Sequence, residues 1–283
     1  MKRRAGVSLA GLTTFSTGGE AHSLVEIEYP EDLVELSPLP GGFFILGGGS
    51  NVLAPEAGLD ATIVKVALHG VEFEDLGERV RVVLGAGESW DAFVSEAAAR
   101  GLWGVENLAG IPGTVGGAVV QNIGAYGAEL SESFEYAEVL DLERGVPRRI
   151  GRAEAAFGYR ESAFKRARAL LITKVAFILP KRGVPNLAYR DLATAKDRGD
   201  DLGSPALIAE VVRSIRAGKF PDLTREGTAG SFFKNPVVPS ELADSLTRRY
   251  PDVPQFPQAD GRVKLSLAWL LDHALALKGF SMG

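Results

Sequence analysis

Apolar and polar positions along the chain do not settle into one rhythm. Short, mostly apolar blocks over 43–46, 62–68, 80–84, 136–142 and 170–179 have the length and β-branched content of strands. Helical stretches stand out in four places, each with its own start signal. Ser89 precedes 90–100, which Gly101 closes, and Ser204-Pro205 opens a stretch running to Lys219 with proline at the first helical position. Ser240-Glu241 begins a helix that ends before Pro251, and Ser266 caps 267–278 with Gly279 as the stop. Strands and helices follow one another irregularly, not in repeating βα units. That predicts an α+β fold and argues against a doubly wound sheet or a barrel.

Composition narrows the function classes. With 283 residues the chain is long enough for two or three domains. Apolar residues at 46% and charged residues at 24% are proportions of a soluble globular protein. A net charge of −5 argues against a nucleic-acid groove, since phosphate binding wants a basic surface. Most of the local basic residues, in the clusters Arg148, Arg149 and Arg152, then Arg160, Lys165, Arg166 and Arg168, read as solvated faces. No cysteine is present, which removes thiolate metal sites, iron–sulfur clusters and cysteine nucleophiles. His22, His69 and His273 are too widely spaced to suggest a metal site, so no metal is expected. Redox chemistry would need a bound organic cofactor. The opening Met-Lys-Arg-Arg-Ala-Gly-Val has a short, glycine-broken apolar part and no cleavage site after it, and no apolar run nears the roughly 20 residues of a membrane span. A cytoplasmic protein with no membrane partner is the expectation.

Glycine, at 34 residues, is concentrated around 41–49 and 101–127 and, less densely, around 11–19. The segment 45–53, Ile-Leu-Gly-Gly-Gly-Ser-Asn-Val-Leu, is a strand running into consecutive glycines. Backbone N–H groups can turn there toward one point and form an anion nest, with Ser50 and Asn51 adding side-chain donors. It is neither a Walker A loop nor a Rossmann fingerprint. A tight turn between strands would also explain it. The segment 101–127 carries Ile-Pro-Gly-Thr-Val-Gly-Gly and Gln-Asn-Ile-Gly-Ala-Tyr-Gly, too rich in glycine for an ordinary helix or strand interior. Either an extended loop packs its bare backbone against a flat, polar-edged ligand, or the segment is a buried glycine-rich crossing. Two such loops in one chain favour a dinucleotide site.

These three motifs, in this order and spacing, resemble those of the UDP-N-acetylenolpyruvoylglucosamine reductase (MurB) family. Phe-Gly-Tyr-Arg-Glu-Ser-Ala-Phe-Lys at 157–165 and Ala-Gly-Ser-Phe-Phe-Lys-Asn-Pro at 229–236 agree, and the resemblance runs from about Thr13 to Gly283. It implies non-covalent FAD in a fold shared with vanillyl-alcohol oxidases, and NADPH as co-substrate. The substrate would be UDP-N-acetylglucosamine enolpyruvate, reduced to UDP-N-acetylmuramate by a monomer. Three divisions are expected: FAD-binding subdomains over 1–66 and 67–217 and a substrate-binding domain over 218–283. Composition shifts near residue 67 and near Gly218-Lys219-Phe220-Pro221 fit those joints.

The resemblance also assigns residues. Gly47, Gly48, Gly49, Ser50, Asn51, Val52 and Leu53 would bind FAD, followed by Ile111, Pro112, Gly113, Thr114, Val115 and Gly117. Asn122, Gly124, Ala125, Tyr126 and Arg160 complete that set. Arg160 and Ser231 would be catalytic: a fixed positive charge where an enolate oxygen develops, and a general acid assisted by nearby charge. Read without the resemblance, Arg160 fits a structural ion pair and Ser231 a serine satisfying backbone groups at a strand start. Tyr189, Arg216, Lys219, Ser231 and Asn235 would hold the substrate, with Arg216 and Lys219 on the diphosphate and Tyr189 as an aromatic lid. Phe15 to Gly19 resembles the family's N-terminal segment but departs from its usual Gly-Ile or Arg-Ile-Gly form. Family members continue past the segment seen here as 278–283 and carry a catalytic glutamate there. The sequence therefore reads as shortened, with Leu267, Trp269, Leu270, Leu271 and Leu275 short of partners. Two other readings stay open: a homologue that binds FAD or the nucleotide sugar without turnover, and another flavin oxidoreductase of the same fold.

Overall fold

The structure is a computed structural model that describes residues 1–36, 42–223, 225–230 and 233–278. The chain divides into two compact units, Met1–Gly230 and Ser231–Gly283. In the first unit β1 (Lys2–Ser8), β2 (Glu20–Ile27), β3 (Phe43–Leu46) and β4 (Leu59–Val66) form a mixed sheet in the order β1-β2-β4-β3. β1 runs antiparallel to β2, whereas β2 and β3 both run parallel to β4. β1 is the exposed edge, and its Arg4, with Lys65 of β4, meets Glu26 of β2.

A second, antiparallel sheet follows. β5 (Val71–Asp75) and β6 (Arg79–Gly85) lead into α1 (Trp90–Ala99) and α2 (Val115–Gln121), then a small hairpin of β7 (Gly124–Ala125) and β8 (Ala128–Glu129). β9 (Phe134–Asp141), β10 (Val146–Gly151) and β11 (Leu170–Pro180) complete the sheet in the order β10-β9-β11-β6-β5. Short helices α3 (Arg152–Ala155) and α4 (Ala163–Arg166) lie between β10 and β11, and α5 (Arg190–Asp197) and α6 (Pro205–Ala217) follow β11.

The helix signals at Ser89, Gly101 and Ser204 act as expected. Ser89 accepts from Ala92 N at 3.4 Å, and α1 ends in a Schellman motif at Gly101: Gly101 N donates to Ala98 O and Leu102 N to Ala97 O, both 3.0 Å. Ser204 caps α6, whose buried Pro205, Ile208, Ala209 and Val212 recur at helical spacing. Trp90 is fully buried, stacks edge-on against Phe93 and Phe177, and donates from Nε1 to Leu108 O at 3.0 Å. That bond fixes the loop that follows α1 to the main core.

The second unit holds α7 (Ser240–Arg249) and a three-stranded antiparallel sheet, β12 (Val237–Val238), β13 (Gln255–Pro257) and β14 (Val263–Leu265), in the order β12-β14-β13. The helix expected over 267–278 is shorter and differently wound. Ser266 caps α8 (Leu267–Trp269), which widens into a π-helical turn over Leu270–Ala274 and stops at Ala276 with φ +52°. Leu275 N donates five residues back to Leu270 O, so the α-helical ladder is already lost before the glycine that looked like its stop.

Candidate functional site

The parallel pairing of β3 with β4 ends at Leu46, and the next three residues lie wedged between two other segments. A Cβ on Gly47 would lie 2.6 Å from Thr114 Oγ1, and one on Gly48 would lie 2.9 Å from Gly113 Cα. At Gly49 it would meet Leu12 O at 2.1 Å, and the backbone there is left-handed at φ +66°. The glycines are therefore needed for close approach. Thr14 N donates to Gly49 O at 3.2 Å, and Ser50 Oγ donates to Pro112 O at 3.2 Å. The loops 47–51 and 112–117 lie against each other as one surface. Val115 is buried, Val52, Ile111 and Gly117 are half-buried, and Asn51, Leu53 and Pro112 are exposed. Among the described residues, the backbone N–H groups of Gly48, Gly49, Ser50, Asn51, Gly113 and Thr114 donate to no protein acceptor. Such a cluster of N–H groups on two touching loops suits a pyrophosphate.

The chain returns to this surface at the end of the first unit. Thr14 Oγ1 donates to Thr228 O at 2.6 Å, Thr228 N donates back to Thr14 O at 3.0 Å, and Gly230 packs against Ser50 O and Asn51. Ser231, the next residue, lies outside the described residues.

Helix α2 links this surface to the arginine. Thr114 caps it by accepting from Gly117 N at 3.3 Å, and Asn122 closes it in a left-handed conformation at φ +39°. The Asn122 side chain is consumed internally: Nδ2 donates to Glu129 Oε2 and Gly158 O, and Oδ1 accepts from Ser131 N. The 7 residues of α2 span about 10 Å. The glycine loops lie at its start and Arg160 at its end.

Arg160 stands on a two-residue turn, closed by mutual hydrogen bonds of 3.0 Å between Gly158 and Glu161. Its φ is +53°. Buried Ser162 anchors the turn by donating to Val120 O at 2.8 Å, while Lys165 Nζ donates to both Arg160 O and Gln121 Oε1. The guanidinium donates to Gly124 O at 2.6 Å and Asn122 O at 3.4 Å. Among the described residues it has no carboxylate partner, so two neutral carbonyls orient the charge without cancelling it.

Ala125 and Tyr126 continue from Gly124 into a third group. The buried Tyr126 ring lies 5.2 Å from the half-exposed Tyr189 ring in an edge-on arrangement. Burial pushes the Tyr126 hydroxyl up from its ordinary value, while the charges of Arg216 and Lys219 pull it the other way. Arg216 donates from Nε to Gly110 O at 3.0 Å and lies over the Phe220 ring at 4.6 Å. Burial lowers its pKa, and among the described residues no carboxylate pairs with it. Lys219 Nζ donates to Asp191 Oδ2 at 2.5 Å in the first turn of α5. Tyr126, Tyr189, Arg216 and Lys219 thus converge, and β7 joins them to Arg160. Asn235 belongs to the second unit, where its Oδ1 accepts from Leu267 N at 3.0 Å and caps the start of α8.

Several supporting residues had no signal of their own in the sequence. Asp91 accepts from Gly110 N at 2.6 Å and from Arg213, so Gly110 is gripped from both sides, by Asp91 and by Arg216. The spacing of Asp91 and Arg213, on α1 and α6, gives no hint that they meet.

A family model described as an FAD binding domain matches residues 41–151. A UDP-N-acetylenolpyruvoylglucosamine reductase from Chromobacterium violaceum is 41% identical over 290 residues, covering 99% of this chain and 84% of that relative. Another, from Pectobacterium atrosepticum, is 40% identical and covers 98% of this chain and 81% of its own length. Among solved structures, UDP-N-acetylenolpyruvylglucosamine reductase (MurB) from Thermus caldophilus matches with a TM-score of 0.59 at 27% identity, over 93% of this chain and 87% of that chain.

Proposed function

The chain belongs to the UDP-N-acetylenolpyruvoylglucosamine reductase family, and on that premise we propose how its own residues divide the reaction between them. It is an FAD-dependent reductase of UDP-N-acetylmuramate synthesis, with an α+β FAD-binding fold of the vanillyl-alcohol oxidase type. When bound, FAD supplies a hydride carrier between NADPH and the enolpyruvyl double bond of UDP-N-acetylglucosamine enolpyruvate.

The residues present fit that cofactor. Six backbone N–H groups on the touching loops 48–51 and 113–114 would hold its pyrophosphate, with Ser50 and Thr114 fixing the loop geometry. Leu53, Phe15 and Pro55 line an open depression of about 460 Å³ beside the loop, an apolar place for the adenine ring. At the other end of α2 the flavin ring would lie beside Gly124, Ala125 and Tyr126. One observation carries this reading: a donor-rich glycine surface and an unneutralised, oriented arginine stand at opposite ends of one short helix.

Arg160 would stabilise negative charge developing on the substrate's enolate oxygen, and its guanidinium keeps its own charge at any working pH. Ser231 would deliver the proton to the enolate carbon. A hydroxyl is a weak acid, so that transfer needs positive charge nearby. Lys219 and Arg216 would meet the diphosphate, with Tyr189 and Asn235 fixing the nucleotide sugar. Residues 1–66 and 67–217 would be the two FAD-binding parts and 218–283 the substrate-binding domain. The change of sheet between Val66 and Val71 supports the first joint. We take the protein to act as a cytoplasmic monomer; none of its described helices is long and apolar enough to cross a membrane.

The test is NADPH oxidation by the purified, yellow protein. Without oxygen, oxidation that stops at one NADPH per flavin and continues only when the enolpyruvyl sugar is added, with UDP-N-acetylmuramate as product, is the expected result. Equal oxidation without the sugar would overturn the reading.

A further inference from the structure

Asn107 sits on a 3₁₀ turn, Glu106–Leu108, and is 2% exposed. Its Nδ2 donates to two backbone carbonyls, Tyr126 O and Asn186 O, both at 2.8 Å. Its Oδ1 is buried and, among the described residues, has no hydrogen-bond partner. A buried carbonyl left without a donor is unfavourable, so an apolar side chain would fill this volume with less penalty. The amide is explained by its two donors. Serine or threonine offers one hydroxyl proton, and a carboxylate offers none.

What the donors join is specific. Tyr126 forms the tip of the β7–β8 hairpin, and Asn186 lies three residues before Tyr189. Asn186 adds a second bond to the same hairpin, from Nδ2 to Gly127 O at 2.9 Å. Residues 182–189 form no helix or strand. Among the described residues these two bonds are the hydrogen bonds that tie residues 182–188 to the rest of the fold, while Tyr189 itself begins α5, its carbonyl accepting from Leu192 N and Ala193 N at 3.0 Å. The edge-on contact between Tyr126 and Tyr189 is therefore set from two sides, by the start of α5 and by this amide pair on the segment that leads into it.

We propose that Asn107 is a positioning residue for nucleotide binding: it clamps the Tyr189 segment to the Tyr126 hairpin and so sets Tyr189 where a uridine diphosphate group would meet it. This rests on the reading that Tyr189, Arg216 and Lys219 hold the nucleotide. Asn107 itself touches neither the arginine turn nor the glycine surface. Its loss should weaken nucleotide binding while leaving the chemical step alone.

The test uses the flavin-loaded full chain, its Asn107→Ala variant, and uridine diphosphate as a calorimetric probe. Losing one or two net hydrogen bonds of this kind predicts a rise of about tenfold in Kd for uridine diphosphate and in KM for the enolpyruvyl sugar. The kcat should stay within about twofold, since ground-state and transition-state binding fall together. Flavin content and flavin reduction by NADPH should match the parent. In a Tyr189→Ala background, Asn107→Ala should then change the Kd by less than about twofold, because the clamp has nothing left to position. Should Asn107→Ala fold poorly, Asn186→Ala tests the same clamp from its half-exposed side, with a smaller rise in KM at constant kcat. An unchanged Kd and KM in either folded variant, or equal losses with and without Tyr189, would overturn the proposal. A parent protein that neither binds uridine diphosphate nor reduces the enolpyruvyl sugar would instead overturn the functional reading.

Discussion

Replacing Gly49 by alanine separates a conformational penalty from a steric one. The residue is left-handed at φ +66°, which costs an alanine about 1–2 kcal/mol. The new methyl would also lie 2.1 Å from Leu12 O and 2.9 Å from Thr13 Cα. Both are backbone atoms, so no side chain can rotate away, and such overpacking adds about 1–3 kcal/mol. The expected loss is therefore about 2–5 kcal/mol. Gly77 is the control, because it has φ +82° with no atom within 4 Å of an added Cβ. Gly77→Ala should lose about 1–2 kcal/mol, the conformational share alone. Urea denaturation of the flavin-free proteins measures both losses. Relief of the Gly49 clash must move the loop off Leu12–Thr14, breaking the Thr14 N to Gly49 O bond and displacing the N–H groups of 48–51. A flavin fluorescence titration should then show FAD binding at least about tenfold weaker for Gly49→Ala and unchanged for Gly77→Ala. If the two variants lose the same stability and both bind FAD like the parent, the glycine surface is not the pyrophosphate cradle.

Other expectations follow from the same geometry. Ser231→Ala should leave flavin reduction by NADPH intact and slow turnover of the sugar by ~10²–10⁴, read by stopped-flow absorbance; normal turnover removes its role as proton donor. Arg160→Lys keeps a charge but cannot bridge Gly124 O and Asn122 O as the guanidinium does, and should lower kcat by ~10²–10³; an unchanged kcat would return Arg160 to a structural role. Glu26 is held below its ordinary pKa chiefly by its hydrogen bond to Lys65, with Arg4 and Lys2 assisting. A depressed folded pKa stabilises the fold above the unfolded value of about 4.3 and stops doing so as pH falls through the folded value. Glu26→Gln should therefore reduce stability by up to about 1 kcal/mol at neutral pH and make no difference at the acid end, as followed by thermal melts across pH.

The sequence exposes the parts of this protein that local rules govern. The strand Phe43–Leu46 is legible because Gly42 and Gly47 bracket four apolar residues, and α1 and α6 because Ser89, Ser204 and Pro205 mark their starts. β1 escaped because six of its 7 residues are exposed and it begins with three charges, so it has no apolar face to reveal it; it forms by pairing with β2. The C-terminal helix misled for the opposite reason. Its cap and apolar residues promise a helix, but none of its described residues is more than half-buried, and the ladder loosens after Trp269. At the site, the glycine motifs announced close backbone approach but not the partner, which proves to be the other glycine loop and Leu12–Thr13. The Asn122 side chain bonds to Glu129, Gly158 and Ser131, residues that only the fold brings to the end of α2. Asn107, Asp91 and Arg213 act through partners far along the chain, and no local pattern marks them.

The most direct test of the account is made in two steps without oxygen. NADPH is added to the purified protein until its FAD is fully reduced, excess NADPH is removed, and UDP-N-acetylglucosamine enolpyruvate is then supplied. The oxidised flavin spectrum is expected to return rapidly, with one UDP-N-acetylmuramate formed per flavin. A flavin that stays reduced after the sugar is added would contradict it.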